Sequence, residues 1–496
     1  MKKLILLILT TALIAVPVLS CASDDNGEQP GGTETGRGNG NEEIPGYAEL
    51  ECDLEEELAF PDLPQINFGG YEFRILNSAP GSQPHILHQL IAEAETGEAL
   101  NDAIFRRNRR MEERFGFNLV MTSFPTLVAI RDTAQTSIMA ASDDFDLMMM
   151  LPQHALPMAQ DGMLEMIDRI PYIDLSRPWW DQDMVRDFSI GGRVFFTSGD
   201  FSFNQYSVAM PIFFNKQIHA DLGLDCPYTL VHEGRWTIDR FAEQARQGNR
   251  DLNNDGIMNH EDQWGFASIA TLYTLGFMNG MGARYVINDA DGMPVLNMNT
   301  QGFISRFHII ADIFSEGWIY DFHRPDTPTR TEVMFQNNQA LFWLELMNWA
   351  TILRGMDNDF GILPVPKLNE QQEYHITAAG NPHVMSIPVT TADLGRTGII
   401  LEALNAESRL TTLTVYYDTM LVNQLLNRDE ESAEMLEIIF ANRVYETGRF
   451  FWETNISIPV AEAMRDMNRD IVSVIERHEA AAIADIERTV ESFLGN

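Results

Sequence analysis

Between Asp251 and Asp262, oxygen-bearing side chains recur at alternate positions: Asp251, Asn253 and Asp255, then Asn259, with Asp262 closing the run. Gly256 stands where such a loop turns sharply, and Ile257, with no side-chain oxygen, offers its backbone carbonyl. A hard divalent cation such as Ca2+ takes six to eight oxygens at about 2.3–2.6 Å. Alternate residues of one tight loop supply them without help from the rest of the fold. The expected ligands are therefore Asp251, Asn253, Asp255, the Ile257 carbonyl, Asn259 directly or through water, and Asp262. Asp262 is short for bidentate closure, so the affinity is expected to be modest. With every position filled by protein, the cation is structural, a clamp on a loop between two helices. The competing reading is an Asx-rich turn that binds nothing; the order of residue types favours the cation.

Position by position this run resembles EF-hand and dockerin loops, which close on glutamate and aspartate respectively. Catalytic chemistry has no comparable pattern. The chain has no His-Glu-x-x-His, no Gly-x-Ser-x-Gly and no Gly-rich phosphate loop followed by Lys. A glycosidase pair could hide among 72 acidic residues, because its spacing in sequence is not diagnostic. His85 and His88 stand three apart with no further metal ligand in view. Sugar binding asks for aromatic plates beside planar polar groups. The aromatic candidates are Trp179, Trp180, Tyr206, Tyr273, Trp343, Trp349 and Trp452; the polar ones are Asp200, Asn204, Asn279 and Glu345. For any one aromatic, burial in the core is the commoner fate, and Trp179-Trp180 after Pro178 fits a loop anchor as well as a site.

The N-terminus reads as an export signal. Lys2 and Lys3 precede the apolar run Leu4–Val16, and Val18-Leu19-Ser20-Cys21 has the aliphatic and small residues of a bacterial lipobox. The run is too short to span a bilayer. Cys21 is the expected lipidation site, with two or more acyl chains giving stable anchoring on the outer face of the cytoplasmic membrane. The segment after it is rich in Gly, Asp, Asn and Pro and nearly free of apolar residues, a flexible tether. A coil of this kind reaches roughly 25–40 Å. A formal net charge of −38 argues against nucleic acid as a partner. Cys52 and Cys226 are left over, and a bridge between them is possible outside the cytoplasm but demanded by nothing in the sequence.

The elements that must carry these residues alternate. Tyr71–Leu76 reads as a strand; Leu100, Ile104, Met111 and Phe115 share a helical face, with Asn101 as N-cap and Gly116 as stop. Phe117–Met121, a helix over Thr126–Ala141 and the apolar run Phe145–Met150 follow, with a further helix starting at Ala159. Such an order predicts a parallel sheet covered by helices, with ligands held beyond the carboxyl ends of the strands. Later come a helix capped by Thr237, strands at Ala340–Leu344, Phe360–Pro366 (ending in a proline-bounded loop) and His383–Val389, and a mostly helical stretch from Leu401.

Several fragments in this order resemble extracellular solute-binding proteins of family 1, the carbohydrate-type receptors of ABC importers. They include Gly97-Glu98-Ala99-Leu100-Asn101-Asp102-Ala103-Ile104, Asp144-Phe145-Asp146-Leu147, Ala159-Gln160-Asp161-Gly162, Phe214-Asn215-Lys216, Gly234-Arg235-Trp236-Thr237, Asp262-Gln263-Trp264-Gly265-Phe266 and Phe360-Gly361-Ile362-Leu363-Pro364. The resemblance runs from about Tyr71 to the C-terminus. It implies an α/β, two-lobe periplasmic-binding-protein-like (type II) fold that closes on a solute, no catalytic residues, permease subunits as partners and a monomeric receptor. The implied division is a signal over 1–20, a tether over 21–64, lobe one over 65–210 and 348–408, and lobe two over 211–347 and 409–496. The crossings then fall near Val208–Phe214, Trp343–Asn348 and Ser408–Thr414. Aligned on Ala-Gln-x-Gly, Gln153 and His154 take the place of polar, sugar-contacting residues in relatives. No Asp-Arg pair stands there, so the solute need not be a maltodextrin. Crossing positions add weight to Tyr206, Trp343, Glu345 and Trp349, so the expected solute contacts are Gln153, His154, Asp200, Tyr206, Trp343, Glu345 and Trp349. The expected function is capture of a sugar or oligosaccharide by hinge closure. The alternatives are an exported glycoside-active enzyme and a calcium-stabilised adhesion or sensor-accessory protein.

Overall fold

The computed structural model describes residues 60–79, 90–322, 328–418 and 431–495. The export signal, Cys21, Cys52, His85, His88 and nearly all of the tether lie outside them. Phe60 to Pro64, read as tether, already belong to the fold. Leu63 is buried in the core under the first sheet, and the Arg114 guanidinium lies 4.0 Å from the centre of the Phe60 ring. Among the described residues no helix is long and apolar enough to cross a membrane.

Strand β1 (Tyr71–Ser78) pairs in parallel with β2 (Phe117–Phe124) and β3 (Leu147–Met150). The connecting helices are α1 (Ala99–Phe115) and α2 (Leu127–Met139). The apolar face read from the sequence is the buried one: Leu100, Ile104, Met111 and Phe115 all point into the core. Glu98, not Asn101, caps α1, its carboxylate accepting from the amides of Leu100 and Asn101. Gly116 ends the helix in the left-handed region, and a Cβ there would fall 2.1 Å from the Asn67 side chain. All four residues of β3 are buried, as an apolar run covered on both sides requires. The helix after β3 starts earlier than its apolar pattern suggests. Pro152 opens α3 (Pro152–Gln160), a position where a missing amide costs nothing, so Ala159 lies in its last turn. The sheet is completed by β4 (Phe196–Thr197) and β13 (Val384–Ser386), in the order β2-β1-β3-β13-β4.

A second sheet has the order β11-β5-β10-β6-β9. Its strands are β5 (Ile212–Asn215), β6 (Trp264–Ser268), β9 (Ile319–Asp321), β10 (Ala340–Leu344) and β11 (Phe360–Leu363). A short hairpin, β7 (Val286–Asn288) with β8 (Pro294–Leu296), stands apart from it. Each sheet with its helices forms one lobe.

The lobe boundaries read from the sequence need correction. Phe360–Leu363, assigned to lobe one, pairs antiparallel with Ile212–Asn215 in the lobe-two sheet. The chain does not leave lobe two at Trp343–Asn348; it turns there through Met347–Gly355 and adds β11. Nor is there a crossing at Ser408–Thr414. The helical stretch Leu394–Tyr416 is continuous and carries the buried Ile399, Ile400, Leu401, Ala403 and Leu404 into the core of lobe one. The crossings that hold the lobes together lie at Val208–Met210 and at two short strands, β12 (Thr377–Ala378) and β14 (Arg443–Val444).

The long final helix, Ile471–Gly495, serves both lobes. Near its start Glu479 accepts from Asn299 of lobe two. Near its end Thr489 accepts from Gln160, and Phe493 packs on Phe195, both in lobe one.

Candidate functional site

Strand register brings two sheet ends to one place. Met150 pairs with Val384, so the carboxyl end of β3 lies beside the start of β13. Leu344 pairs with Ile212, so the carboxyl end of β10 lies beside the start of β5. Between them run the crossing segments. The Met210 amide donates to the Ala378 carbonyl at 3.1 Å and the Gly380 amide to Val208 at 2.7 Å. Thr377 and Ala379 donate in turn to Asn442 and Val444, both at 3.0 Å. The Met347 amide, just past β10, donates to Ala209 at 2.8 Å. Both sheets thus open their carboxyl ends onto one hinge, the place where open α/β sheets hold ligands.

Gln153 and His154 occupy the first turn of α3 at the lobe-one edge of this place. The Gln153 Oε1 and His154 Nδ1 atoms are buried without a hydrogen-bond partner. Burial, then the nearby Arg131, hold the His154 ring below its ordinary range, so it is neutral at physiological pH. Asn204 sits just before the first crossing. Its Oδ1 accepts from the His383 amide at 2.6 Å, while its Nδ2 is buried and unpartnered.

On the lobe-two side, Glu345 and Trp349 follow β10. Glu345 is only 9 % exposed and its Oε1 accepts from the next amide, Leu346, at 3.0 Å. Burial pushes this carboxyl up to about 7, against the Leu346 hydrogen bond, with Glu332 raising it and Arg330 lowering it more weakly. Trp349 is half-buried, and the Arg330 guanidinium stands 5.6 Å from the centre of its ring. Asn348, between them, is 3 % exposed with an unpartnered Oδ1. Buried unpaired polar atoms of this kind cost about 1–3 kcal/mol each, a cost that a polar solute reaching them would offset.

The other expected contacts are taken up by the protein itself. Trp343 is fully buried in β10, between Phe213 at 5.2 Å and Phe335 at 5.4 Å, and its Nε1 donates to Thr331. It presents no face to a solute because both sides of a central strand are covered. The Tyr206 ring is enclosed by Tyr416, Tyr417, Phe440 and the Arg443 guanidinium. Its hydroxyl donates to Asp200, which also accepts from Gln205 and pairs with Arg409 at 3.3 Å. Burial holds Asp200 up to about 6 despite Arg409. Arg443, on β14, lies 3.6 Å from Asp181 and 3.7 Å from Asp183. These groups form a buried ionic network behind the hinge. Trp179 and Trp180 both donate to the buried Glu402, Trp452 donates to Thr489 and Tyr273 to Asp321, so these aromatics are structural. The sequence reading missed Asn348, which carries no signal apart from its place between Glu345 and Trp349.

The acidic loop lies between the helix Ile238–Gly248 and strand β6, not between two helices. Trp264–Ser268 is buried at every position, so the segment after the loop enters the sheet. An antiparallel bridge between Arg250 and Gln263 closes the base. Within it the Asp251 carboxylate accepts from the amides of Asn254 and Gly256, and Asp255 accepts from Ile257. The fully buried Asp262 accepts from Leu252 and Asn259, both at 2.9 Å. Gly256 has φ 80°, the sharp turn its position calls for.

Two sheets, a strand hinge between them and two carboxyl edges facing it invite comparison with known folds. A cyclo/maltodextrin-binding protein complexed with maltotetraose aligns over 87% of this chain and 99% of its own, with a TM-score of 0.57 at 12% identity. The maltose/maltodextrin-binding domain MalE from Bdellovibrio bacteriovorus, bound to maltotriose, covers 86% and 100%, with a TM-score of 0.51 at 15% identity. An ABC substrate-binding protein from Listeria monocytogenes in complex with cycloalternan covers 86% and 99%, at 0.52 and 12%. The chain has the two-lobe fold of the sugar-binding proteins of ABC importers. No family model and no curated relative matches the sequence. The two-lobe fold accounts for the hinge between the sheets, and the three neighbours are binding proteins by description.

Proposed function

We propose that this chain is the substrate-binding component of an ABC importer, capturing a sugar or oligosaccharide between its lobes and delivering it to membrane permease subunits. One observation carries the reading: the carboxyl ends of β3 and β10 meet at a hinge of short crossing strands, with unpartnered polar atoms from both lobes beside it. A solute touching both lobes favours the closed arrangement by the difference between its affinities for closed and open forms. The structural neighbours complexed with maltotriose, maltotetraose and cycloalternan support the same reading. The lipobox at Cys21 supports attachment to the outer face of the cytoplasmic membrane.

The acidic loop is proposed to hold a structural Ca2+. Its donors are all oxygens, and Gly256 adopts the turn such a loop needs. Asp251, Asn253, Asp255, Asn259, Asp262 and the Ile257 carbonyl would hold the ion, which would tie the end of the helix Ile238–Gly248 to β6.

Calorimetry and thermal-shift screening of the mature chain against a glycan panel test the function. Binding with a smaller radius of gyration by X-ray scattering is expected, with the glycan recovered intact. Silence across glycans, peptides and polyols defeats the proposal, and cleavage of the glycan turns it towards an enzyme.

A further inference from the structure

Sorted by hydrogen-bonding type, the unpartnered groups at the hinge include one donor, Asn204 Nδ2, and lean otherwise towards acceptors. Gln153 Oε1 and Asn348 Oδ1 are buried acceptors with nothing donating to them. Glu345 adds a carboxylate that makes no ion pair among the described residues: its hydrogen bond comes from the adjacent Leu346 amide, and Arg330 acts on it only weakly. The cations nearby are already matched. Arg330 pairs with Glu332, Arg449 with Glu453, Arg409 with Asp200, and Arg443 with Asp181 and Asp183. An acidic solute would meet committed guanidiniums and a carboxylate that has no ion-pair partner among the described residues. A solute bearing an ammonium would supply the missing charge and the missing donors at once. The net charge of −38 favours the approach of such a solute over an anion.

Resting on the sugar-binding reading above, we propose that the solute is a cationic amino sugar, an oligosaccharide carrying free ammonium groups, and that Glu345 selects it. A buried carboxylate is disfavoured alone and stabilised by a matched cation. Asn348, three residues on, supplies a second buried acceptor, its Oδ1 being without a partner. Glu345 is raised by burial and by Glu332, opposed by the Leu346 amide and Arg330. Pairing with an ammonium favours its ionised form, so binding releases a proton below about pH 7 and tightens as pH rises to about 7, above which the sugar amine gives up its own proton and the gain is lost.

The test is calorimetry of the full mature chain with four trimers: glucosamine, N-acetylglucosamine, maltotriose and galacturonic acid. Glucosamine trimer is expected to bind about tenfold or more tightly than its acetylated counterpart, as befits one charge-assisted hydrogen bond. The preference should grow between pH 5.5 and about 7 and shrink above it as the amine loses its proton, with galacturonic acid trimer the weakest of the four. Glu345→Gln should bring the glucosamine trimer down to the affinity that the same variant shows for the acetylated trimer, and remove the pH dependence of the difference. The folding of that variant is checked by its melting temperature, expected at or above the wild-type value at pH 8. Equal binding of the two glucosamine trimers, tightest binding of maltotriose or galacturonic acid trimer, or a preference unchanged in the variant overturns the inference and leaves the sugar-binding reading standing. Binding of none of the four, together with silence across the wider panel, defeats that reading as well.

Discussion

Replacing Glu345 by Gln changes the stability of the free protein in a pH-dependent way, and the sign follows from its surroundings. In an open chain this carboxyl ionises near 4.5; in the fold, burial raises it to about 7. Below pH 4.5 it is protonated in both states. Between 4.5 and about 7 the unfolded chain releases a proton that the folded chain keeps, so the unfolded state gains and stability falls as pH rises. Above about 7 both states are ionised and the fold carries the full penalty. At about 1.4 kcal/mol per pKa unit, the whole effect is about 3 kcal/mol. Glutamine keeps the acceptor for the Leu346 amide but never ionises. Urea unfolding at pH 5, 6, 7 and 8 should therefore show the variant close to wild type at pH 5 and more stable by up to about 3 kcal/mol at pH 8. Because Asp200 and Glu402 also titrate in this range through their burial, the difference between the two proteins is the quantity to read. Curves that stay parallel, or a variant less stable at pH 8, would refute the picture of a buried carboxyl without an ion pair beside the hinge.

Further outcomes follow from the packing. Trp343→Ala should destabilise lobe two by about 3–5 kcal/mol in urea unfolding, since both faces of the ring are covered by Phe213 and Phe335. Gly380→Ala places a Cβ 2.3 Å from Leu346; a loss of about 1–3 kcal/mol is expected, together with altered closure in scattering. Arg443→Met removes the cation facing the buried Asp181 and leaves Asp183 to Arg186 alone, and about 3–5 kcal/mol should be lost on denaturation at neutral pH. Removing Ca2+ with a chelator should lower the melting temperature of the wild-type chain and leave Asp251→Ala unmoved; equal responses would refute a cation at that loop.

Local pattern carried the parts of the fold that depend on neighbours in sequence. The period of Leu100, Ile104, Met111 and Phe115 located α1 and its buried face, and the apolar run ending at Met150 located a strand covered on both sides. The division into lobes was not legible in this way. Phe360–Leu363 looks like a strand whichever sheet receives it, and only its pairing with Ile212–Asn215 decides the matter. The crossing strands β12 and β14 are two residues each, too short for any periodicity. Site residues suffered from the same limit. Tyr206 and Asp200 were polar and near a crossing, but Arg409 and Arg443, more than two hundred positions away, claim them. Glu345 stood out by position, and its lack of an ion pair among the described residues emerges only from the arrangement of its neighbours.

The last helix adds a constraint of its own. Twenty-five residues make a rod roughly 37 Å long, seated on one half of the molecule by its early turns and on the other by its final ones. A rod fastened at both ends cannot lengthen, so the halves cannot simply draw apart along it. Opening has to proceed as a swing that keeps Thr489 and Phe493 near their seats. The mouth through which a guest enters is therefore expected to gape on the flank remote from that strut.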